Sequence, residues 1–75
     1  MLPANAKLTS AELRVLHYLP SHYSIPQIAR ALHLADSTAK MQCLSIYRKL
    51  LVNDRSAAVR VATELGILDR AFASV

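Results

Sequence analysis

The chain has 75 residues, 53% of them hydrophobic, and 12 Ala and 12 Leu dominate the apolar set. A chain of this length forms one small domain with a small core, and it offers little room for a catalytic pocket, so an autonomous enzyme is disfavoured. Nine Lys and Arg against five Asp and Glu give a net charge of +4, and six of the basic residues lie between residues 30 and 60. That excess suits a surface that faces a polyanion.

The composition also indicates the fold class and the compartment. Ala and Leu head the helix-propensity scale, which predicts an all-α fold. No stretch approaches the roughly 18 consecutive apolar residues of a membrane span, and residues 1–7 lack the pattern of a secretory signal. A single cysteine excludes a disulfide scaffold and favours a cytoplasmic setting. We expect one domain over residues 1–75, with a core at about 8–68, taken from a longer chain.

Two capping boxes in the first third of the chain predict two helices. In such a box a Ser or Thr precedes a Glu or Gln by three residues, and each side chain accepts a hydrogen bond from the other's backbone. The pairs are Thr9 with Glu12 and Ser24 with Gln27. They predict helices over 9–18, which Pro20 ends, and over 25–32.

A third helix is predicted over 37–50, capped by Asp36 or Ser37, and a fourth over 55–65, opened by Asn53 and Asp54 and followed by Gly66. The apolar positions of the third helix are spaced four, three and four apart and form one inward stripe. They are Ala39, Cys43, Ile46 and Leu50. The expected core face of the fourth helix is Ala58, Val61, Ala62 and Leu65. The tail from Asp69 to Val75 is expected to fray unless Phe72 packs back.

A short helix, a tight turn at His33 to Ala35, and a longer helix with basic residues form a helix-turn-helix pattern, which generic bundles share. Residues along the whole chain carry a closer resemblance. They are Leu8-Thr9, Glu12, Val15-Leu16, Gln27-Ile28-Ala29, Leu32, Thr38-Ala39-Lys40, Ile46-Tyr47-Arg48-Lys49-Leu50, Arg55, Ala58 and Gly66. In this spacing the chain resembles the DNA-binding domain of LuxR-type transcription regulators over residues 8–68.

The resemblance implies a four-helix, all-α helix-turn-helix domain whose third helix enters the major groove of DNA. It implies a C-terminal output module with an upstream sensor or signalling domain in the same chain, no cofactor, and a homodimer through the fourth helix. Val59 and Thr63, which lie off the core face of that helix, are the candidate dimer contacts. The sequence departs from the family pattern at Ala35, Gln42 and Leu51, which replace the usual Ser, His and Gly.

The residues that face away from the inward stripe of the third helix are the candidate DNA contacts. They are Ser37, Met41, Leu44, Ser45 and Arg48, with Thr38, Lys40 and Lys49 beside them. Thr38 lies near the helix start, where a hydroxyl and free backbone N–H groups suit a phosphate. The cations Lys40, Arg48 and Lys49 suit phosphates as well, and the positions of Lys40 and Lys49 in the family pattern favour this over a merely solvated face.

Met41 and Leu44 leave two alternatives open. They suit contact with thymine methyl groups in the major groove, but they cannot form a bidentate hydrogen bond with a base. The alternative is a divergent module that uses this face for protein interaction, or for regulating a linked signalling enzyme, and that binds DNA weakly.

Other chemistry finds little support in the sequence. His17, His22 and His33 are spaced five and eleven residues apart, which matches no common pair of zinc ligands, so we expect no metal site. Cys43 lies on the apolar stripe, where a buried thiol is inert. A chain with one Gly cannot form a glycine-rich phosphate loop.

Overall fold

The computed structural model describes residues 8–68, and within that range it contains four α-helices and no strand. The helices are α1 (Ser10–Tyr18), α2 (Ile25–Ala31), α3 (Asp36–Leu50) and α4 (Arg55–Glu64). All four predicted helices are confirmed, and their ends differ from the predicted ends by at most one residue. The predicted tail, with Phe72, lies outside the described residues.

Both predicted capping boxes are present. The Thr9 hydroxyl accepts a hydrogen bond from the Glu12 backbone N–H at 3.1 Å, and the Glu12 carboxylate accepts one from the Thr9 N–H at 2.9 Å. Ser24 and Gln27 exchange the same two bonds at the start of α2. Asp54 caps α4 through its carboxylate. These bonds satisfy N–H groups that the first turn of a helix leaves without a partner.

The start of α3 differs from the prediction. The N-cap position is held by Ala35, whose backbone is extended, and no side chain caps this helix. The expectation that Asp36 or Ser37 serves as the cap is therefore wrong. An N-cap residue must have an extended backbone, and both candidates already lie in the first helical turn. The charge of Asp36 still interacts favourably with the helix dipole there.

Three helices end in the same way. A residue with left-handed backbone follows each helix and donates its N–H to the carbonyl three residues back, while the next residue donates to the carbonyl five residues back. This is the Schellman motif. The left-handed residues are His33 after α2, Leu51 after α3 and Gly66 after α4, with φ of 59°, 60° and 79°. Only Gly66 was expected.

Helix α3 lies at the centre of the domain and packs against the other three helices. The predicted inward stripe is confirmed, because every member of it is buried. Those residues are Ala39, Cys43, Ile46 and Leu50. They meet buried apolar side chains of α1 and α2, including Val15, Leu16 and Ile28.

The predicted core face of α4 is confirmed at Ala58, Val61 and Ala62 and wrong at Leu65. Ala58 and Ala62 are fully buried and Val61 is partly buried. Leu65, however, is 45% exposed, and Leu68 is buried in its place. The helix ends at residue 64, and the reversal after it returns the chain to the core four residues later, at Leu68.

Candidate nucleic-acid interface

The outward face of α3 is a stripe of four exposed residues. They are Ser37, Met41, Leu44 and Arg48. The four positions repeat the spacing of the inward stripe, and each lies two residues before a buried member. Two residues correspond to a rotation of about 200° around a helix. The outward stripe therefore lies almost directly opposite the core, as predicted. Met41 and Leu44, at 69% and 50% exposure, form its apolar centre.

Polar groups border the N-terminal half of this stripe. Thr38 and Lys40 are both exposed, and Thr38 lies in the first turn of α3, where no side chain caps the helix. A helix start without a side-chain cap keeps N–H groups directed along the axis, and these favour an anion. The predicted placement of Thr38 and Lys40 beside the outward stripe agrees with the structure.

Ser45 and Lys49 lie on the side of α3 that faces α1, so the expectation that Ser45 faces outward is wrong. The Ser45 hydroxyl donates to one carboxylate oxygen of Glu12 at 2.6 Å. The Lys49 ammonium forms an ion pair with the other at 2.8 Å. A helical period gives the angle of each residue around its own helix, but the position of α1 beside α3 determines which flank is covered.

Glu12 is only 6% exposed, yet it carries a charge. Burial by itself would raise the pKa of its carboxyl group. Hydrogen bonds from Lys49, Ser45 and the Thr9 backbone, together with the Lys49 charge, outweigh that effect and lower the pKa below its ordinary value. Sequence reasoning identified Glu12 as half of a capping box, and nothing in its neighbourhood indicates a partner 37 residues away.

Gln42 lines an open cleft between the start of α1 and the first half of α3. Its Oε1 atom is buried, and no hydrogen-bond donor in residues 8–68 reaches it. A glutamine reads adenine in the major groove by using its carbonyl oxygen and its amide N–H together. In this rotamer the oxygen faces the protein, so Gln42 does not present that pair of groups.

Arg55, the first residue of α4, binds the end of α1. Its guanidinium donates to the carbonyl oxygens of Leu19 at 2.9 Å, Ser21 at 3.0 Å and Tyr18 at 3.3 Å. These carbonyls belong to a helix end and the turn after it, where backbone acceptors lack helical partners. The family pattern included Arg55, but the sequence alone did not indicate this role.

The candidate dimer contacts lie on the flank of α4. Val59 is partly buried against the core, and the Thr63 hydroxyl donates to the Val59 carbonyl at 2.8 Å. Both remain partly accessible.

Among residues 8–68, no three His, Cys, Asp or Glu side chains lie together as metal ligands would. Cys43 is buried, and burial raises the pKa of its thiol despite the nearby Arg55 charge. No helix in the described range has the length and apolarity needed to cross a membrane.

Comparison with known proteins agrees with this architecture. Residues 6–62 match the model of the luxR family of bacterial regulatory proteins. Two proteins described as probable transcriptional regulatory protein NarL, from the CDC 1551 / Oshkosh and ATCC 25618 / H37Rv strains of Mycobacterium tuberculosis, are each 40% identical over 67 residues. The match covers 89% of this chain but 31% of those relatives. No solved structure gives a significant match. The chain therefore belongs to the luxR family of bacterial regulatory proteins, and its four helices form a DNA-binding helix-turn-helix domain of that family.

Proposed function

We propose that this domain binds double-stranded DNA sequence-specifically, with α3 in the major groove and α2 lying across it. The observation that carries the proposal is the outward stripe of α3. It lies opposite the core, it is exposed along its whole length, and exposed cations accompany it at Lys40 and Arg48. A major groove about 12 Å wide admits an α-helix, and side chains near the helix start reach the base edges.

The cations of α3 differ in their freedom to contact phosphate. Lys40 and Arg48 are exposed, so their charges can replace the counterions of the duplex, which is the main source of non-specific affinity. Lys49 is partly covered and paired with Glu12. We still include Ser45 and Lys49 in the proposed surface, but we expect each to contribute less, because Glu12 competes for both.

We further propose that this domain is the C-terminal output module of a longer, cytoplasmic regulator with an upstream sensor or signalling domain. The relatives that it matches are about three times as long as the matched segment, which supports a further domain. We propose a homodimer through α4, with Val59 and Thr63 as contacts, and we assign binding rather than catalysis to this domain.

A salt titration of binding to random duplex DNA tests the proposal. The logarithm of the affinity should fall linearly with the logarithm of the salt concentration between about 50 and 200 mM. Lys40→Ala should make that negative slope shallower by about one unit, because one phosphate contact is lost. Lys49→Ala should change it less, because its ammonium already has a carboxylate partner.

The matched control is Arg60→Ala, which removes one exposed positive charge from α4. It should leave the slope unchanged, because α4 packs on α3 and the outward stripe lies opposite the core. Equal slopes for wild type, Lys40→Ala and Arg60→Ala would contradict the proposed surface.

The exposed pair Met41 and Leu44 favours one alternative, a protein-interaction module that retains the fold. That alternative predicts binding to DNA that stays weak and independent of sequence, even after selection from a pool of random duplexes.

A further inference from the structure

We propose that Met41 and Leu44 read the C5-methyl groups of thymine, so that the operator of this domain has thymines at the base pairs beneath the centre of α3. This inference rests on the proposed function and names the base chemistry that the outward stripe recognises.

The spacing of Met41 and Leu44 along α3 suits contact with adjacent base pairs. They lie three residues apart on one face of α3, which separates them by about 4.5 Å along the axis. Base pairs are stacked about 3.4 Å apart, so the two side chains can reach adjacent base pairs. Both project from the exposed face. Two apolar side chains together on one helix face indicate a binding surface more strongly than a single exposed apolar residue does.

No neighbour of Met41 and Leu44 at the centre of the outward stripe presents a discriminating polar group to the bases. Ser37 can bond to more than one base and gives little discrimination. Gln42 holds its Oε1 atom against the protein. Its amide oxygen and N–H are therefore not both available to bind adenine. Lys40 lies on one flank and Arg48 at the far end of the stripe. The centre of the face therefore offers only apolar groups to the bases.

Chemical complementarity then selects the ligand group. In the major groove every base edge displays hydrogen-bond donors or acceptors, and the C5-methyl of thymine supplies an apolar contact beside them. The flexible thioether chain of methionine adapts to the shape of such a group. The cations Lys40 and Arg48 on the same side of α3 favour a polyanion over an apolar protein surface as the occupant.

The test removes the methyl groups one at a time. A preferred duplex is first selected from random sequence with the wild-type chain, and each thymine in it is then replaced by deoxyuridine, which keeps the base pair and lacks only the methyl. We expect at least one replacement to weaken wild-type binding about fourfold, the effect of one methyl-sized apolar group. Binding to random duplex should not change, because it depends on phosphates.

Variants of the protein identify the side chain that senses each methyl. In Met41→Ala or Leu44→Ala the sensitive replacement should have no further effect, because the contact is already lost. Leu51→Ala is the matched control. It also removes an exposed leucine side chain, but from the loop after α3, and it should retain the full deoxyuridine effect.

The outcomes separate this inference from the proposed function. A selected site that tolerates deoxyuridine at every position would overturn methyl reading and leave sequence-specific binding intact. A deoxyuridine effect that persists unchanged in both Met41→Ala and Leu44→Ala would also overturn methyl reading by these two side chains. Failure to select any preferred duplex would overturn the proposed function itself, and the face would then belong to a protein partner.

Discussion

Glu12 joins the start of α1 to the C-terminal half of α3. Its carboxylate accepts bonds from the Thr9 backbone, the Ser45 hydroxyl and the Lys49 ammonium. Glu12→Gln keeps the shape and the capping geometry but removes the charge. We expect this variant to lose about 2 kcal/mol of unfolding free energy at pH 7, the usual scale for hydrogen bonds to a charged group. Urea unfolding measures the difference.

The pH dependence of that difference follows from the lowered pKa of Glu12. The folded state favours the ionised carboxylate, so its contribution is fully present above the unfolded pKa of about 4.3. It is lost as the pH falls through the lower folded value. Wild type and Glu12→Gln should therefore converge in stability at low pH. Glu64→Gln, which removes an exposed acidic charge, should change stability by no more than about 0.5 kcal/mol. A deficit of the same size at pH 7 and at pH 3 would contradict this account.

The Schellman motif that ends three of the helices is built on three different residues. The left-handed backbone crowds the side chain of any residue except glycine, at a cost of roughly 1–2 kcal/mol. Leu51 adopts it with φ of 60°, and its side chain is 91% exposed and supports little packing. Leu51→Gly should therefore raise the unfolding free energy by about 1 kcal/mol.

Gly66→Ala applies the same physics in the opposite direction. Gly66 has φ of 79°, and a Cβ atom placed there meets no other atom within 4 Å. Its substitution should lower stability by about 1 kcal/mol through backbone strain alone. Thermal unfolding compares both variants with wild type. If Leu51→Gly destabilises the domain, the strain argument fails.

The helix starts were more predictable from sequence than the helix ends. Thr9, Ser24 and Asp54 cap through side chains, and a side-chain cap leaves a local sequence signal. Ala35 has no such group, so the sequence predicts a start of α3 that is one residue late. His33 and Leu51 end their helices without the glycine that normally marks this motif. The available signal was the apolar residue that follows each of them, Leu34 and Val52, which packs on the core.

The outward stripe of α3 was predictable from the sequence, because the helical period that identifies the buried stripe also identifies the residues opposite it. The contacts made by the flank of α3 were not predictable. The sequence pattern predicts that Ser45 and Lys49 contact DNA, but the structure brings them to Glu12, 33 and 37 residues away along the chain. Local periodicity contains no information about which neighbouring helix covers a flank. The identities of the actual DNA contacts therefore remain predictions.

The proposed dimer sets the spacing of the two half-sites on the DNA. Two copies related by a two-fold axis place their recognition helices about one DNA turn apart, or roughly 10 base pairs. Thr63→Arg introduces bulk and charge at the proposed contact and should make the two chains bind their half-sites independently, so that one chain rather than two occupies the duplex at concentrations that saturate the wild-type pair. Affinity for the paired half-sites should fall by about 100-fold, the loss expected when two linked binding events become independent.

Sedimentation of the chain with duplexes that carry one or two half-sites measures this stoichiometry. Thr63→Ser, which keeps the hydroxyl that bonds to the Val59 carbonyl, should behave as wild type does. If Thr63→Arg still gives two chains on the double site with unchanged affinity, the dimer contact lies elsewhere on the surface.

The two opposite stripes of α3 have a consequence for how such a domain diversifies. No residue belongs to both the buried stripe and the outward stripe, and exposed positions away from special backbone geometry usually change stability by less than about 0.5 kcal/mol. Substitutions at residues 37, 41, 44 and 48 can therefore accumulate without a compensating change in the core. If the outward stripe reads DNA as proposed, a gene duplicate acquires a new operator while its protein remains folded at every step, and exchanging these four side chains between related domains should exchange their operator preferences.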